Sequence, residues 1–192
     1  MPKENDAAIA SFLFEIGALK RTARTGWAVS GIPKPDTVAS HIFRAAHIGN
    51  LLAEMEGCDK NKVVRMILFH DVPEARIGDL HKIASSYIDV KESEASAAED
   101  QAKLLPPAIA KEYTDMLKEF VEKKTKEAIV ARDADYLEAA ISGKEYLMNG
   151  YVHAQEYIDR VREVLVTKSA KKLLEEIEKS DGFWWKGLKK KF

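Results

Sequence analysis

The chain has 192 residues, which is enough for one domain with a sizeable hydrophobic core. Its 30 basic and 31 acidic side chains nearly cancel, so no overall charge favours a nucleic acid or an anionic membrane as partner. The single cysteine, Cys58, excludes an internal disulfide and suits a reducing compartment. The sequence shows no N-terminal signal pattern, and no apolar run approaches the roughly 20 residues of a membrane helix. We therefore expect a cytoplasmic protein.

The N-terminal segment has the apolar spacing of an amphipathic helix, followed by an irregular stretch. The apolar face of this first helix consists of Ile9, Phe12, Leu13, Ile16 and Leu19. From residue 20 to residue 35, glycines and prolines interrupt any helical pattern. We expect a loop region there.

Two further helices follow, each with a candidate cap. Asp36 or Thr37 is placed to cap the second helix, and Asp59 is placed to cap the third. The third helix has an apolar face and ends at His70 and Asp71.

The C-terminal half is also helical in pattern. We predict a helix from about Glu92 to Leu105, another that begins at Pro106-Pro107, a long one from about Thr125 to Leu147, and a last one from about His153 to Lys179. No alternating strand pattern of useful length is found. The predicted fold class is all-α.

The pattern has no internal repeat or linker, so we predict a single domain over residues 1–192. Its core would span about residues 19–147, with a C-terminal helix and an aromatic and basic tail over about 153–192. Trp184 and Trp185 in this tail offer an apolar surface for a homodimer.

The segment after the third helix carries the strongest chemical signal. His70 and Asp71 are adjacent, and neighbouring imidazole and carboxylate groups can bind one divalent cation. Glu74 follows one helical turn later, and Asp79 follows a glycine. His41 on the second helix offers another ligand. This pattern is typical of a metal-dependent hydrolase.

A further carboxylate is expected from the long helix, which offers Asp133 and Asp135. These two residues differ by about 200° around a helix, so only one of them can face the metal. Spacing alone leaves the choice open.

The order His41, His70-Asp71 and a later aspartate resembles the HD-domain metal-dependent phosphohydrolases. The spacing of Glu74 and Gly78-Asp79 after His70-Asp71 is similar to that of the small HD-domain 5′-deoxynucleotidases, which remove phosphate from deoxynucleoside monophosphates. The resemblance runs from about residue 19 to residue 147 and implies an HD-domain fold.

The resemblance implies which residues form the site. It favours Asp135 over Asp133, and so implies a metal site of His41, His70, Asp71 and Asp135, with Asp133 facing outward or supporting the site from behind. Oxygen and imidazole ligands suit one divalent ion of Mn, Co, Fe, Zn or Ni. Catalytic roles are implied for Glu74 and Asp79. We expect Glu74 to serve in general acid–base chemistry and Asp79 to orient water or handle the leaving oxygen.

Substrate-binding residues are expected in the irregular segment before the second helix. Arg24 is the candidate phosphate clamp, and the resemblance implies that Trp27 excludes a ribose 2′-hydroxyl. Arg44 and Arg76 are alternative clamps. One departure from the family pattern is Ser40, which stands where the family usually has an acid. If such an acid supports the metal ligands, Ser40 would alter metal affinity or specificity.

Three functions are compatible with this site. The first is a nucleoside 5′-monophosphate phosphatase with a small-molecule nucleotide as its partner. The second is another HD phosphohydrolase that acts on a triphosphate, an alarmone or a cyclic nucleotide. The third is a nucleotide sensor without turnover, and intact Glu74 and Asp79 speak against it.

Overall fold

The computed structural model describes residues 6–188, and these residues confirm the all-α prediction. No strand forms among them, and Ala23 and Thr37 make an isolated antiparallel bridge. Short 3-10 turns occur at Gly17–Lys20, Ala84–Ser86 and Val152–Ala154. The helices are α1 (Asp6–Ile16), α2 (Thr25–Val29), α3 (Val38–Glu56), α4 (Lys60–His70), α5 (Glu74–Ile77), α6 (Val90–Ala102), α7 (Pro107–Glu122), α8 (Lys126–Met148), α9 (Gln155–Val164) and α10 (Lys168–Lys179).

The two helices that carry His41 and His70 have the caps that their sequences predict. Thr37, and not Asp36, caps α3, because its side chain accepts a hydrogen bond from the backbone N–H of Ser40. The Asp59 carboxylate accepts from two N–H groups in the first turn of α4. These caps fix where each helix starts and therefore which side chains face inward.

Helices α3, α4 and α8 pack together and form the largest part of the core. Gly49 on α3 allows a close approach of α4, because a Cβ at this position would collide with Cδ1 of Ile67. The same packing brings His41 on α3 and His70 on α4 together, with their ring centroids 5.6 Å apart. The core geometry thus places the histidines next to each other.

The prediction of one last helix over 153–179 is wrong, because the chain turns between α9 and α10. Asp133 on α8 explains this break. Its buried carboxylate accepts hydrogen bonds from the backbone N–H groups of Val166 and Thr167 and from the Thr167 hydroxyl, at 2.7–3.2 Å. The prediction that Asp133 faces outward or supports the metal ligands is therefore wrong. It fixes the start of α10.

We expect Asp133→Ala to lower the free energy of unfolding by about 2–4 kcal/mol, because it leaves backbone N–H groups of the α9–α10 turn without their acceptor. Urea denaturation measures this loss. Asp159→Ala, which removes an exposed aspartate from α9, is the control and should cost about 0.5 kcal/mol or less. Equal unfolding free energies for the two variants would contradict the anchoring role.

The end of the described chain carries exposed aromatic side chains. Trp184 is 78% exposed and Trp185 is 52% exposed. Residues 189–192 of the basic tail lie outside the described residues. Within residues 6–188, no helix combines the length and the apolar character that crossing a membrane requires.

Candidate metal centre

Three helices bring the four predicted metal ligands together. His41 lies in the first turn of α3, and His70 is the last residue of α4. Asp71 directly follows His70, and Asp135 lies on α8. All four side chains are buried or nearly so, and the carboxylates are the more accessible part of the group.

The ligand atoms converge within a few ångströms. Nε2 of His70 lies 3.1 Å from Oδ2 of Asp71, and Nε2 of His41 lies 3.6 Å from the same oxygen. Oδ1 of Asp135 lies 3.2 Å from Nε2 of His41 and 3.8 Å from Nε2 of His70. Ligand atoms of His41, His70 and Asp71 all lie within 4.8 Å of one another, close enough to share one ion.

The hydrogen bonds of the two imidazoles leave both Nε2 atoms free to act as ligands. Nδ1 of His70 is 2.7 Å from the carbonyl oxygen of Ile67, which can only accept, so this nitrogen carries the proton. Nδ1 of His41 likewise donates its proton to the Glu138 carboxylate. Both Nε2 atoms are buried, and neither has a hydrogen-bond partner within residues 6–188. A divalent cation would satisfy these two lone pairs, so the residues fit a metal ion.

The electrostatics of the site also favour a cation. Burial by itself would lower the pKa of His70, yet Asp71 and Asp135 raise it to about 10. Burial likewise would raise the pKa of Asp71, but His70, His41 and Arg24 lower it to about 2. The site therefore stabilises positive charge between two ionised carboxylates.

Glu138 is a candidate site residue that the sequence reasoning missed. It lies one helical turn after Asp135 on α8, and its buried carboxylate holds Nδ1 of His41. Arg44 donates to the same carboxylate at 2.9 Å and to Ser142 at 2.6 Å. A buried acid on the same face as Asp135 was the available signal. Because Arg44 is hydrogen-bonded to Glu138 and Ser142, it is not available to bind phosphate as the alternative clamp.

We expect Glu138→Gln to weaken metal affinity by about 10-fold to 100-fold, because a neutral amide orients His41 less strongly and no longer adds negative charge. Calorimetric titration of the metal-free protein with Co²⁺ measures the effect. Glu145→Gln is a matched control, since Glu145 also accepts from Arg44 but is exposed. Unchanged Co²⁺ affinity in Glu138→Gln would contradict the orienting role.

The two predicted catalytic acids lie beside the ligands but in different surroundings. Glu74 begins α5 and is buried, and its Oε2 has no hydrogen-bond partner within the described part of the chain. Burial, followed by Asp71 and Asp79, raises the pKa of Glu74 to about 10. Asp79 is held by the backbone N–H of Thr25, which donates to its Oδ2 at 2.8 Å. Glu74 is thus the acid that is free to hold a proton.

Arg24 reaches the metal centre from the N-cap of α2. Its Nη1 donates to Oδ2 of Asp71 at 3.3 Å, and its Nε lies 3.9 Å from Oδ2 of Asp79. Arg76, the other alternative clamp, instead bonds to Glu15 at 2.6 Å. Among the three candidates, Arg24 is therefore the one that the structure places beside the ligands.

Trp27 lies close to Arg24 in sequence, but its indole is only 3% exposed. It packs against Tyr157 at 4.2 Å and Tyr146 at 5.1 Å between ring centroids. In this position the indole supports the segment that carries Arg24. Its contact with a ribose remains a prediction from the resemblance.

Ser40 has a local role at the start of α3. Its hydroxyl accepts from the backbone N–H of Thr37 at 2.9 Å, while the Thr37 hydroxyl accepts from the backbone N–H of Ser40 at 3.3 Å. This reciprocal pair is a capping box, in which the same position often holds an acid. Ser40 therefore helps to cap α3, and its side chain is exposed.

Comparisons with known proteins agree with this geometry. A family model described as HD domain matches residues 16–178. The chain is similar to 5′-deoxynucleotidase HDDC2 of Xenopus laevis, with 30% identity over 72% of this chain and 69% of that protein. It is also similar to 5′-deoxynucleotidase HDDC2 of Bos taurus, with 30% identity over 79% of this chain and 75% of that protein. A crystal structure titled as a predicted metal-dependent phosphohydrolase from Magnetospirillum magnetotacticum superposes with a TM-score of 0.72 at 26% identity and covers 93% of both chains.

Proposed function

The chain belongs to the HD-domain family, and from this membership we propose that it is a metal-dependent phosphohydrolase that releases phosphate from deoxynucleoside 5′-monophosphates. The relatives named 5′-deoxynucleotidase support the substrate class. The observation that carries the proposal is the pair of buried, unpartnered Nε2 atoms of His41 and His70, which converge on Asp71 and Asp135.

The four ligands would hold one divalent cation, which we propose to be Mn, Co, Fe, Zn or Ni because the donors are imidazole and carboxylate groups. When bound, such a cation supplies positive charge that polarises a phosphate oxygen and lowers the pKa of water.

The remaining residues bind the phosphate and move protons. Arg24 offers guanidinium N–H groups beside Asp71 and would bind an oxygen of the substrate phosphate. Glu74 holds its proton because its surroundings raise its pKa, and it would donate that proton to the departing sugar oxygen. Asp79, fixed by Thr25, would accept a hydrogen bond from the attacking water and orient it.

A phosphate-release assay tests this function. Metal-free protein is supplied with each of the five metals and with deoxyribonucleoside and ribonucleoside monophosphates, triphosphates and cyclic nucleotides. We expect release from deoxynucleoside 5′-monophosphates with at least one metal. Preference for triphosphates or cyclic nucleotides would contradict the substrate, and binding without release by any metal would indicate a sensor.

We also propose that the family match, which includes α9 and α10, reflects one HD domain over residues 1–192, and that two copies form a homodimer in the cytoplasm. The exposed Trp184 and Trp185 support an isologous contact, and a lone cysteine suits a reducing compartment. Light scattering that gives the mass of one chain would contradict the dimer.

A further inference from the structure

Arg132 is a cationic residue beside the predicted metal ligands, and none of the proposed catalytic steps uses it. It lies on α8 one turn before Asp135, and its Nη1 donates to Oδ2 of Asp135 at 3.1 Å. Asp135 therefore directs Oδ1 toward the histidines and Oδ2 toward Arg132. Arg24 stands in the corresponding position beside Asp71. Each ligand carboxylate thus has its own arginine.

The Arg132 guanidinium is fixed in place but retains free donors. Its Cζ lies 4.0 Å from the centroid of the Phe120 ring, and Phe120 also lies 4.9 Å from the His70 ring. Within residues 6–188 its hydrogen bonding is limited to Asp135, and its buried Nε has no partner. Since the side chain is 24% exposed, its remaining N–H groups are accessible to a ligand that approaches from solvent.

Lys123 adds positive charge near Arg132. It is the C-cap residue of α7, with a φ of 54°, a left-handed conformation that glycine favours. Its Nζ lies 6.0 Å from the centroid of the Tyr136 ring, and Cζ of Arg132 lies 5.7 Å from the same centroid. Partial burial, followed by the charge of Arg132, lowers the pKa of Lys123. These neighbouring cations would be stabilised by an anion.

The formal charges at the centre suit a dianion. A divalent cation would offset the carboxylates of Asp71 and Asp135. Asp79 offsets one of the three cations Arg24, Arg132 and Lys123, which leaves two positive charges to balance a ligand. Glu94 lies within electrostatic range of Arg132, but no hydrogen bond joins them in the described part of the chain. A phosphomonoester carries close to two negative charges at neutral pH, whereas a phosphodiester carries one.

Building on the proposed phosphohydrolase function, we propose that Arg132 is a second phosphate-binding residue. It binds the dianionic phosphate from the Asp135 side of the centre, as Arg24 does from the Asp71 side. This pair of arginines favours phosphomonoesters over phosphodiesters.

The test compares Arg132→Met and Arg132→Lys with the wild type in two binding measurements. Co²⁺ affinity is measured first, from the absorption of the Co²⁺-loaded protein. A deoxynucleoside 5′-phosphonate, which cannot be hydrolysed at its carbon–phosphorus bond, is then titrated calorimetrically at saturating Co²⁺. Arg160→Met, at an exposed position on α9, is the matched control.

We expect Arg132→Met to bind the phosphonate about 10-fold to 100-fold more weakly while Co²⁺ still saturates the site, because one charge-assisted hydrogen bond is lost. Arg132→Lys should recover part of this affinity. The preference for a monoester over a diester nucleotide should fall as well.

Two results would overturn the proposal. One is an unchanged affinity for both Co²⁺ and the phosphonate. The other is a weakened Co²⁺ affinity with an unchanged phosphonate affinity at saturating Co²⁺, which would limit Arg132 to positioning Asp135. If the wild type binds the phosphonate through Arg132 but hydrolyses no monophosphate, the proposed function fails while the role of Arg132 stands.

Discussion

Asp135→Ala is expected to abolish tight metal binding and to lower kcat/KM for a deoxynucleoside monophosphate by roughly 1,000-fold or more. The reason is that removing a metal ligand lowers metal affinity and activity by more than the 10-fold to 100-fold that is typical when a hydrogen-bond partner of a ligand is removed. Asp135 is close to both free imidazole nitrogens, so no other carboxylate replaces it on the α8 side. Metal content after dialysis and phosphate release measure the two effects.

The fold of this variant needs a separate check, because Asp135 also bonds to Arg132. Asp135→Asn keeps the shape and the hydrogen bond while it removes the charge. Adding Co²⁺ should raise the Tm of the wild type but not of either variant, since a ligand that binds the native state stabilises it. Asp115→Asn, at an exposed position on α7, should behave like the wild type. Retained metal binding in Asp135→Asn would argue against Asp135 as a ligand.

Glu74→Gln is expected to lower kcat by about 100-fold to 10,000-fold, the range typical for loss of a general acid or base. Metal affinity should change little, because Glu74 lies outside the four predicted ligands. Its carboxyl has a raised pKa and keeps its proton at neutral pH. As pH rises through that pKa, the wild type should lose activity, and this alkaline limb should be absent from the residual activity of Glu74→Gln.

The measurement is kcat against pH at saturating metal, with Glu74→Asp as a partial rescue and Asp79→Asn as the comparison. If Asp79→Asn removes the alkaline limb and Glu74→Gln does not, the two acids have exchanged roles. Full activity of Glu74→Gln with metal bound would refute its part in catalysis.

Sequence could name four residues that the fold brings together because three of them lie on patterned helices and Asp71 directly follows the end of α4. His41 and His70 lie on capped helices whose apolar faces pack in one core, which brings their side chains together. Residue spacing alone could not distinguish Asp135 from Asp133 as the metal ligand, since both sides of α8 are buried. The resemblance favoured Asp135, and its distances to the imidazoles support that choice.

Contacts between residues distant in sequence explain what the sequence did not reveal. The break between α9 and α10 depends on Asp133, which lies more than 30 residues earlier. Burial of Trp27 depends on tyrosines from α8 and α9. Glu138 is different, because the sequence itself shows an acid one helical turn after Asp135. A metal-binding histidine commonly needs a carboxylate acceptor for its other ring nitrogen, and Glu138 is that acceptor for His41.

The most direct test of the account is a crystal structure of the protein prepared with Mn²⁺, with anomalous diffraction data to locate the ion. We expect one anomalous peak between Nε2 of His41, Nε2 of His70 and the carboxylates of Asp71 and Asp135, at about 2.0–2.3 Å from its ligand atoms. A fully loaded crystal with the ion elsewhere, or bound without either histidine, would contradict the metal centre and the phosphohydrolase function built on it.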